Sequence, residues 1–288
     1  MMVVWYHSVG QVDGTLTFIR YYHWGTHGVD LFFVISGFIM LVTTWDKPIG
    51  PVEFMRHRMR RIVPLYWLAT LVMVGLATVA PALFKSLKWD VPALLKSLFF
   101  IPYDNLSVPG TTSPLLIPGW TLNYEMFFYA LFALSLLASR AWRLPLVIGA
   151  LSILVAAGLV FHPTNIQADF YTNPMMLEFC AGMILGRLWV MKKRVQSKRS
   201  IPLLLGLGDA SYSIYLTHIF TLGALRVVWV KLITHATFVS SIALMGVSLT
   251  VCALAGWLCH RFIELRMTSW LRSKPGLPLV TVVAGQRR

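Results

Sequence analysis

Charged residues are scarce in this sequence. They make up 12% of the 288 residues, while hydrophobic residues make up 57% and the mean hydropathy is +0.68. A soluble domain carries about 25% charged residues, and a single core of this length would still need a large polar surface. The deficit therefore excludes an ordinary soluble enzyme and a disordered chain, and it predicts an integral membrane protein dominated by helices.

Acidic residues and cysteines are also few. There are 11 acidic residues against 25 Lys and Arg, which gives a net charge of +14. In a soluble protein this excess would point to nucleic acid, but cytoplasmic loops of membrane proteins accumulate Lys and Arg, so no nucleic-acid partner is expected. All three cysteines lie in apolar stretches and are interpreted as packing residues: Cys180, Cys252 and Cys259.

Familiar catalytic motifs are missing as well. The sequence contains no HExxH, no Walker A sequence, no glycine-rich dinucleotide turn and no CxxC. No metal site and no tightly bound cofactor are therefore expected. The chemistry must come from polar residues inside or at the edges of the apolar stretches.

Long apolar runs are what the sequence has in quantity. A membrane span needs roughly 20 residues, and seven stretches qualify: Gly28–Trp45, Ile62–Phe84, Gly119–Ala138, Leu144–Phe161, Pro174–Met191, Gly206–Val230 and Thr237–Cys259. The segment Met1–Tyr6 is too short to cross alone, and it adds an eighth helix only if it begins a real span. The proline-rich stretch Lys85–Pro118 predicts an irregular or re-entrant segment.

Basic residues alternate with these spans. Nineteen of the 25 follow the first, third, fifth and seventh spans, and six lie on the other side. Because Lys and Arg mark cytoplasmic loops, we predict an all-α polytopic bundle of about seven or eight transmembrane helices with a cytoplasmic C-terminus. Residues 1–265 are expected to form one membrane domain, and residues 266–288 a basic cytoplasmic tail.

The candidate site residues are ionisable groups in or beside the spans, because a charge at bilayer depth costs roughly 2.5–3.5 kcal/mol on insertion scales. Glu125 lies one to two turns into a span, beside Asn123 and Tyr124, which indicates a polar pocket. Asp30 lies at the outer end of another span, where orienting a histidine and complementing the helix dipole are both open. Glu178 is isolated, and a structural partner explains it equally well.

The histidines divide by context. His7 follows an apolar aromatic segment and has the chemistry of a general base, since its pKa lies near neutrality, but composition alone favours an interfacial histidine. His218 lies within a span and is open to the same two interpretations. The spacing of His27 and Asp30 matches no recognised acid–base pattern and is treated as chance.

The most concentrated polar cluster contains Arg58 and Arg61, immediately before Ile62. The two are three residues apart and share a helix face, and two guanidiniums there can bind phosphate oxygens bidentately. A positive-inside signal or an anchor for anionic lipid explains the same cluster.

Six motifs follow one another between Val3 and Glu264. They are Tyr6-His7; Gly28-Val29-Asp30-Leu31-Phe32-Phe33-Val34-Ile35-Ser36-Gly37-Phe38; Arg58-x-x-Arg61-Ile62-Val63-Pro64-Leu65-Tyr66-Trp67; Trp120-Thr121-Leu122-Asn123-Tyr124-Glu125-Met126-Phe127-Phe128-Tyr129; Glu178-Phe179-x-x-Gly182; and Leu207-Gly208-Asp209-Ala210-Ser211-Tyr212-Ser213-Ile214-Tyr215-Leu216-Thr217-His218. In this order they resemble the acyltransferase 3 family of multi-span O-acyltransferases, and the fourth is similar to the version in the exopolysaccharide-production (ExoZ-like) branch.

The resemblance implies transfer of an acyl group, typically acetyl, from cytoplasmic acyl-CoA to a hydroxyl of a cell-surface or exported carbohydrate. It places the protein in the lipid bilayer of a bacterial inner membrane, with an exopolysaccharide or its lipid-linked precursor as acceptor and polysaccharide-synthesis proteins as possible partners. His7 matches the family histidine proposed to act in catalysis, and Arg58 and Arg61 match its pair for donor handling. Glu125 and Asp30 match recurrent acidic positions.

Two departures from the family pattern keep other functions open. The first helix starts six residues before His7 and lacks the family's Arg-Gly, and the stretch between Gly186 and Leu207 has no room for the usual extra pair of spans. A catalytically inactive, shortened homologue acting as a membrane scaffold is one alternative. A transporter of a polysaccharide precursor or acyl group is another, although the repeated halves typical of transporters are not visible.

Overall fold

The computed structural model describes residues 1–10, 25, 27–82, 84, 86–192, 202–232 and 237–271. Within these ranges the chain is helical, and strand-like pairing is confined to an isolated antiparallel bridge between Asp104 and Thr112. The all-α prediction is confirmed. Most of the predicted tail, residues 272–288, lies outside the described residues, so the division at residue 265 stays a prediction.

The helices of the described ranges are numbered in chain order. They are α1 Met2–Val9, α2 His27–Thr44, α3 Pro51–Val79, α4 Val91–Leu98, α5 Trp120–Ser135, α6 Arg140–Phe161, α7 Ile166–Tyr171, α8 Met176–Met191, α9 Pro202–Asp209, α10 Ser211–Leu232, α11 Phe238–Cys259 and α12 Leu265–Trp270. A 3₁₀ turn, Ile117–Gly119, precedes α5, and a π-helical segment, His260–Glu264, joins α11 to α12.

Six helical segments of the described chain are long and apolar enough to cross a membrane. They are His27–Thr44, Pro51–Val79, Arg140–Phe161, Ile166–Met191, Ser211–Lys231 and Phe238–Trp270. The predicted span Gly119–Ala138 differs: α5 has 16 residues and is buried on most of its faces. It begins one residue after the predicted start and ends at Ser135 rather than at Ala138. Gly119, just before its start, lies against the ring of Tyr66.

Two other helix boundaries differ from the prediction. Helix α3 begins at Pro51 rather than at Ile62, since proline at the first turn needs no intrahelical partner for its nitrogen. The whole arginine cluster therefore lies on this helix. The predicted span Gly206–Val230 is divided at Ala210 into α9 and α10.

The proline-rich segment before α5 contains one short helix, α4, and is otherwise irregular. Its fold is fixed by hydrogen bonds to Ser97: the Tyr66 hydroxyl donates to its carbonyl oxygen at 3.1 Å, and the Leu115 amide donates to its hydroxyl at 3.0 Å. The Tyr103 hydroxyl lies 2.9 Å from the same side chain, and burial raises the pKa of Tyr103, which keeps it neutral. These contacts bring the segment back to the start of α5.

Helices α2 and α8 approach each other closely at two glycines. A Cβ on Gly37 would collide with the backbone of Phe179, and a Cβ on Gly182 would collide with the backbone of Val34. Small residues permit such close backbone contact between membrane helices. The crossing fixes the face of α2 that carries Phe33, whose ring packs 4.7 Å from that of Phe179.

A second close crossing joins α10 and α11, where Gly256 lies against the backbone of Ile214. Helix α1 packs onto this pair through Val4, which is 2% exposed and clusters with Leu222 and Cys252. The arrangement places the last turn of α1, with His7, beside α10.

Candidate active site

Glu125 is the centre of a buried polar cluster. Its side chain, 6% exposed, projects from α5. The Ser36 hydroxyl from α2 donates to its Oε1 at 2.9 Å, and the Tyr129 hydroxyl donates to the same oxygen. Tyr129 reaches it because residues four apart on a helix share a face. Polar surroundings were predicted for Glu125 from Asn123 and Tyr124 beside it, but the side chains that bond to it are those of Ser36 and Tyr129.

Arg58 extends this cluster from α3. Its guanidinium carbon lies 5.4 Å from the centre of the Phe54 ring and 5.9 Å from that of Tyr129, and the side chain interacts electrostatically with Glu125. Its Nε is buried without a hydrogen-bond acceptor among the described residues. We call Ser36, Arg58, Glu125 and Tyr129 the Glu125 cluster.

Arg61 lies on the same helix but is exposed to the surroundings. It too interacts electrostatically with Glu125. The two arginines therefore do not form one symmetrical clamp: Arg58 points into the bundle, whereas Arg61 lies at its surface. A ligand held by both would run from the surface inwards.

A second cluster is formed by His7 on α1 and His218 on α10. Their ring centres are 5.2 Å apart, and the ring of Tyr215 lies 5.8 Å from that of His218. His218 is fully buried, which its position in the sequence left open. We call His7, Tyr215 and His218 the histidine cluster.

The hydrogen bonding of His218 fixes its neutral tautomer. Its Nδ1 lies 2.5 Å from the carbonyl oxygen of Tyr215. A carbonyl oxygen only accepts, so Nδ1 carries the hydrogen, and Nε2 is left as an acceptor. This Nε2 is buried and has no partner in the described part of the chain. An unpaired buried polar atom costs about 1–3 kcal/mol, and such atoms are rare in native structures.

The first helical turns of α5 connect the two clusters. The Tyr215 hydroxyl donates to the carbonyl oxygen of Pro118 at 2.8 Å and lies 2.8 Å from the hydroxyl of Thr121. Thr121 is one turn from Glu125 on α5, a rise of about 6 Å. Among the described residues no hydrogen bond, ion pair or ring contact joins His7 directly to the Glu125 cluster.

Asp30 is placed apart from both clusters, in the first turn of α2. Its Oδ2 lies 2.8 Å from Nδ1 of His27, and both side chains are partly exposed. The treatment of this pair as chance was wrong, because an i,i+3 spacing on a helix brings the two side chains together. Glu178 has one buried carboxyl oxygen with no hydrogen-bond partner in the described ranges, so the structural partner considered for it is not seen there.

Several polar residues near the site were missed by sequence reasoning. Ser36 had no signal beyond its place in a motif, whereas Tyr129 is recognisable by its i+4 spacing from Glu125. Asn123 was not missed, since it was expected beside Glu125; it is 1% exposed, and neither of its amide atoms has a partner within the described ranges. Glu264 is buried too, accepting from Ser213 at 2.6 Å and pairing with His260 at 2.8 Å. Its i,i+4 spacing from His260 was the available signal.

The described residues contain no group of three or more His, Cys, Asp or Glu side chains able to hold a metal ion. Each of the two clusters contains a buried polar atom without a hydrogen-bond partner, and the two atoms differ in character. Arg58 Nε is a buried donor that lacks an acceptor, and His218 Nε2 is a buried acceptor that lacks a donor. An anion suits the first and a hydroxyl suits the second.

Comparison with known proteins gives a family and several relatives. The acyltransferase 3 family model, described as an acyltransferase domain, matches residues 1–208. The chain is 51% identical over 171 residues to the exopolysaccharide production protein ExoZ of Rhizobium meliloti (strain 1021), which covers 59% of this chain and 53% of that protein.

More distant relatives carry acyltransferase names. The peptidoglycan O-acetyltransferase OatA of Listeria monocytogenes serovar 1/2a is 25% identical over 191 residues, 57% of this chain and 30% of that protein. The acyltransferase MdmB of Streptomyces mycarofaciens is 29% identical over 176 residues, 57% of this chain and 41% of that protein. The chain thus spans about half or less of the length of these relatives. No solved structure matches it.

The family match extends over the elements that build the site. It includes α1 with His7, α2 with Ser36, α3 with Arg58 and α5 with Glu125, while α10 with His218 follows it. Together with six apolar helices of spanning length, this indicates a multi-pass membrane protein. Because the model matches well over half of the sequence, this protein belongs to the acyltransferase 3 family.

Proposed function

We propose that this protein is an O-acetyltransferase that moves an acetyl group from acetyl-CoA to a hydroxyl of an exported or cell-surface carbohydrate. The main support is that Arg58 has a buried donor without an acceptor, and His218 a buried acceptor without a donor. CoA brings phosphate oxygens, which are acceptors, and a sugar brings hydroxyls, which are donors. The identity to a protein named for exopolysaccharide production supports a polysaccharide or its lipid-linked precursor as acceptor.

Arg58 and Arg61 are the proposed donor-binding residues. Guanidinium groups bind phosphate oxygens through paired, charge-assisted hydrogen bonds, and the two side chains run from the surface into the bundle. Glu125 is proposed to position Arg58 from within its own hydrogen-bonded cluster. The acyl donor is a co-substrate here rather than a resident cofactor.

His7 is the proposed general base. A sugar hydroxyl attacks a thioester poorly until its proton is removed, and a positioned base contributes about 10²–10⁴-fold. The hydroxyl oxygen bonds to the thioester carbon while His7 takes the hydroxyl proton. The carbon–sulfur bond then breaks, and the proton on His7 passes to the departing CoA thiolate. Asp30, held by His27, is proposed to shape the acceptor end at the start of α2.

The two substrates are proposed to react directly, without an acyl-enzyme. The acceleration beyond base catalysis comes from holding both in one site. Isolation of a radiolabelled acyl-protein that forms and decays fast enough to be an intermediate would contradict this step.

We also propose the topology and location that this chemistry requires. Seven or eight helices cross a bacterial inner membrane with the C-terminus in the cytoplasm, where acyl-CoA is made. The alternation of basic residues with the apolar stretches supports this orientation. Partners are the lipid bilayer, the carbohydrate acceptor and proteins of polysaccharide synthesis, and no nucleic acid is involved.

The test is acetyl-CoA-dependent O-acetylation of polysaccharide in membranes that contain wild type or His7→Ala. We expect the variant to lose activity about 10²–10⁴-fold. His162→Asn is the matched control, because His162 is exposed and has a positive φ of 43°, which asparagine tolerates. Equal activity of wild type and His7→Ala would refute the role of His7, and no transfer from acetyl-CoA by wild type would refute the function.

A further inference from the structure

We propose that His218 is a positioning residue for His7. Its Nε2 accepts a hydrogen bond from one ring nitrogen of His7 while the other ring nitrogen of His7 takes the proton of the acceptor hydroxyl. The inference rests on the proposed function and adds a second residue, from a helix beyond the part matched by the family model, to the same site.

The first support is the fixed orientation of His218. Its Nδ1 hydrogen is held by the Tyr215 carbonyl oxygen one turn earlier on α10. The ring is fully buried and lies against the rings of Tyr215 and His7. It therefore presents the same nitrogen, Nε2, as an acceptor, without the freedom to turn that a surface histidine has.

The second support is the difference in exposure between the two rings. His218 is enclosed, whereas His7 is only partly buried and has its ring centre 5.2 Å away. At this separation of ring centres, an N–H of His7 that faces His218 is within hydrogen-bond reach of Nε2. A histidine serving only to fill space would not need a buried nitrogen left unpaired beside a second imidazole.

The hydrogen bond between His7 and His218 is compatible with the proton transfers of the proposed reaction. When His7 takes the hydroxyl proton it becomes an imidazolium with two N–H groups. The newly bound proton later passes to the CoA thiolate, while the other N–H donates to His218 Nε2 throughout. His218 neither gains nor loses a proton; it stabilises the charged form of His7 and fixes which nitrogen faces the substrate.

Among the described residues, few other titratable groups surround the pair. On α1 the ring of Tyr6 lies 5.4 Å from that of His7, on α10 the neighbour is Tyr215, and the amino group of Met1, just before α1, acts electrostatically on His218. Helix α11, packed against both, has no charged residue from Phe238 to Cys259; its titratable side chains are the thiols of Cys252 and Cys259. At the start of α2 stand His27 and Asp30, which are paired with each other.

Three substitutions separate the acceptor role from packing. His218→Phe keeps the ring and loses both nitrogens. His218→Asn keeps a donor near the Tyr215 carbonyl and loses the distal acceptor. His218→Gln places an amide oxygen near the position of Nε2 and so keeps the acceptor. Each is purified as the full chain in detergent and checked for a monodisperse, folded product.

The main readout does not need substrate. Diethyl pyrocarbonate modifies the neutral ring of His7, and its pH dependence is followed by mass spectrometry of the His7 peptide. Loss of a hydrogen bond to the imidazolium is expected to lower the pH of half-maximal modification by about one unit in His218→Phe and His218→Asn. His218→Gln should restore the wild-type value. In the acetylation assay the first two should lose about tenfold in kcat with KM for acetyl-CoA unchanged.

The outcomes distinguish this inference from the proposed function. An unchanged midpoint in all three variants, or the same shift in all three, overturns the role of Nε2. The expected pattern of midpoints in a protein that transfers no acetyl group upholds the contact and refutes the proposed function. The expected midpoints together with the kcat losses uphold both.

Discussion

The Glu125 cluster and the histidine cluster share helix α5 but differ in how their polar atoms are satisfied. In the first, the Glu125 carboxyl accepts hydrogen bonds from two hydroxyl groups, and the unpaired atom is a donor, Arg58 Nε. In the second, His218 uses one nitrogen on its own helix, and what remains unpaired is an acceptor. The two ends of the site therefore call for ligands of opposite hydrogen-bonding character.

With this difference, one bundle would be able to bind the two proposed substrates at separate ends. The Glu125 cluster is formed by residues of three helices, α2, α3 and α5, and it is suited to bind a charged ligand. The histidine cluster is formed by α1 and α10, and it leaves an acceptor available beside a partly open imidazole. The hydroxyls of Thr121 and Tyr215 connect the two ends.

The largest effect is expected when the hydrogen bonds of the Glu125 cluster are removed. In Glu125→Ala the hydroxyls of Ser36 and Tyr129 lose their shared acceptor, and each unpaired group costs about 1–3 kcal/mol. We expect a loss of about 2–6 kcal/mol in stability, measured as a lowered thermal midpoint in detergent.

Glu53→Ala is the matched control, since it removes a carboxylate from the first turn of α3, on the same basic helix as Arg58. We expect it to change stability by less than about 0.5 kcal/mol. Equal thermal midpoints for the two variants would show that the carboxyl of Glu125 does not hold its cluster together.

A smaller effect is expected from a substitution that tests whether the Glu125 cluster and the histidine cluster are independent of each other. In Gly182→Ala the added methyl group meets the backbone of Val34 and forces α2 away from α8. Overpacking of this kind costs about 1–3 kcal/mol. Because α2 carries Ser36 and the histidine cluster lies on other helices, the wild-type pH dependence of His7 modification should persist.

Gly149→Ala is the control for that substitution, because a Cβ at Gly149 on α6 meets no atom within 4 Å. It should leave the thermal midpoint unchanged or raise it slightly. If Gly182→Ala alters the pH dependence of His7 modification as much as it alters stability, the clusters are not independent.

The smallest effect is expected from a substitution that tests whether Arg58 binds the phosphate groups of acetyl-CoA. In Arg58→Lys the charge stays, but the planar fork and Nε are lost, and such exchanges are not conservative where binding is bidentate. We expect KM for acetyl-CoA to rise about tenfold, equivalent to about 1.4 kcal/mol. Arg56→Lys, exposed on the same helix, should leave KM unchanged; an equal rise in both would assign the effect to general charge.

The sequence predicted the helical class and polar surroundings for Glu125, because apolar length and an isolated carboxylate in a span are local signals; a role of Glu125 in activity stays a prediction. It did not predict that α5 ends at Ser135, because apolar residues continue in the sequence as far as Ala138. Nor did it pair His7 with His218, since more than two hundred residues separate them and only the packing of α1 on α10 brings them together. The i,i+3 pair of His27 and Asp30 was available from spacing and was overlooked.

The central claim is that the Arg58 end binds the donor and the His7 end activates the acceptor. The most direct test is the dependence of the O-acetylation rate on acetyl-CoA concentration in wild type, Arg58→Ala and His7→Gln. We expect a raised KM for acetyl-CoA with kcat largely kept in Arg58→Ala, and a reduced kcat with KM kept in His7→Gln. The reverse pattern, or the same change in both variants, would contradict it.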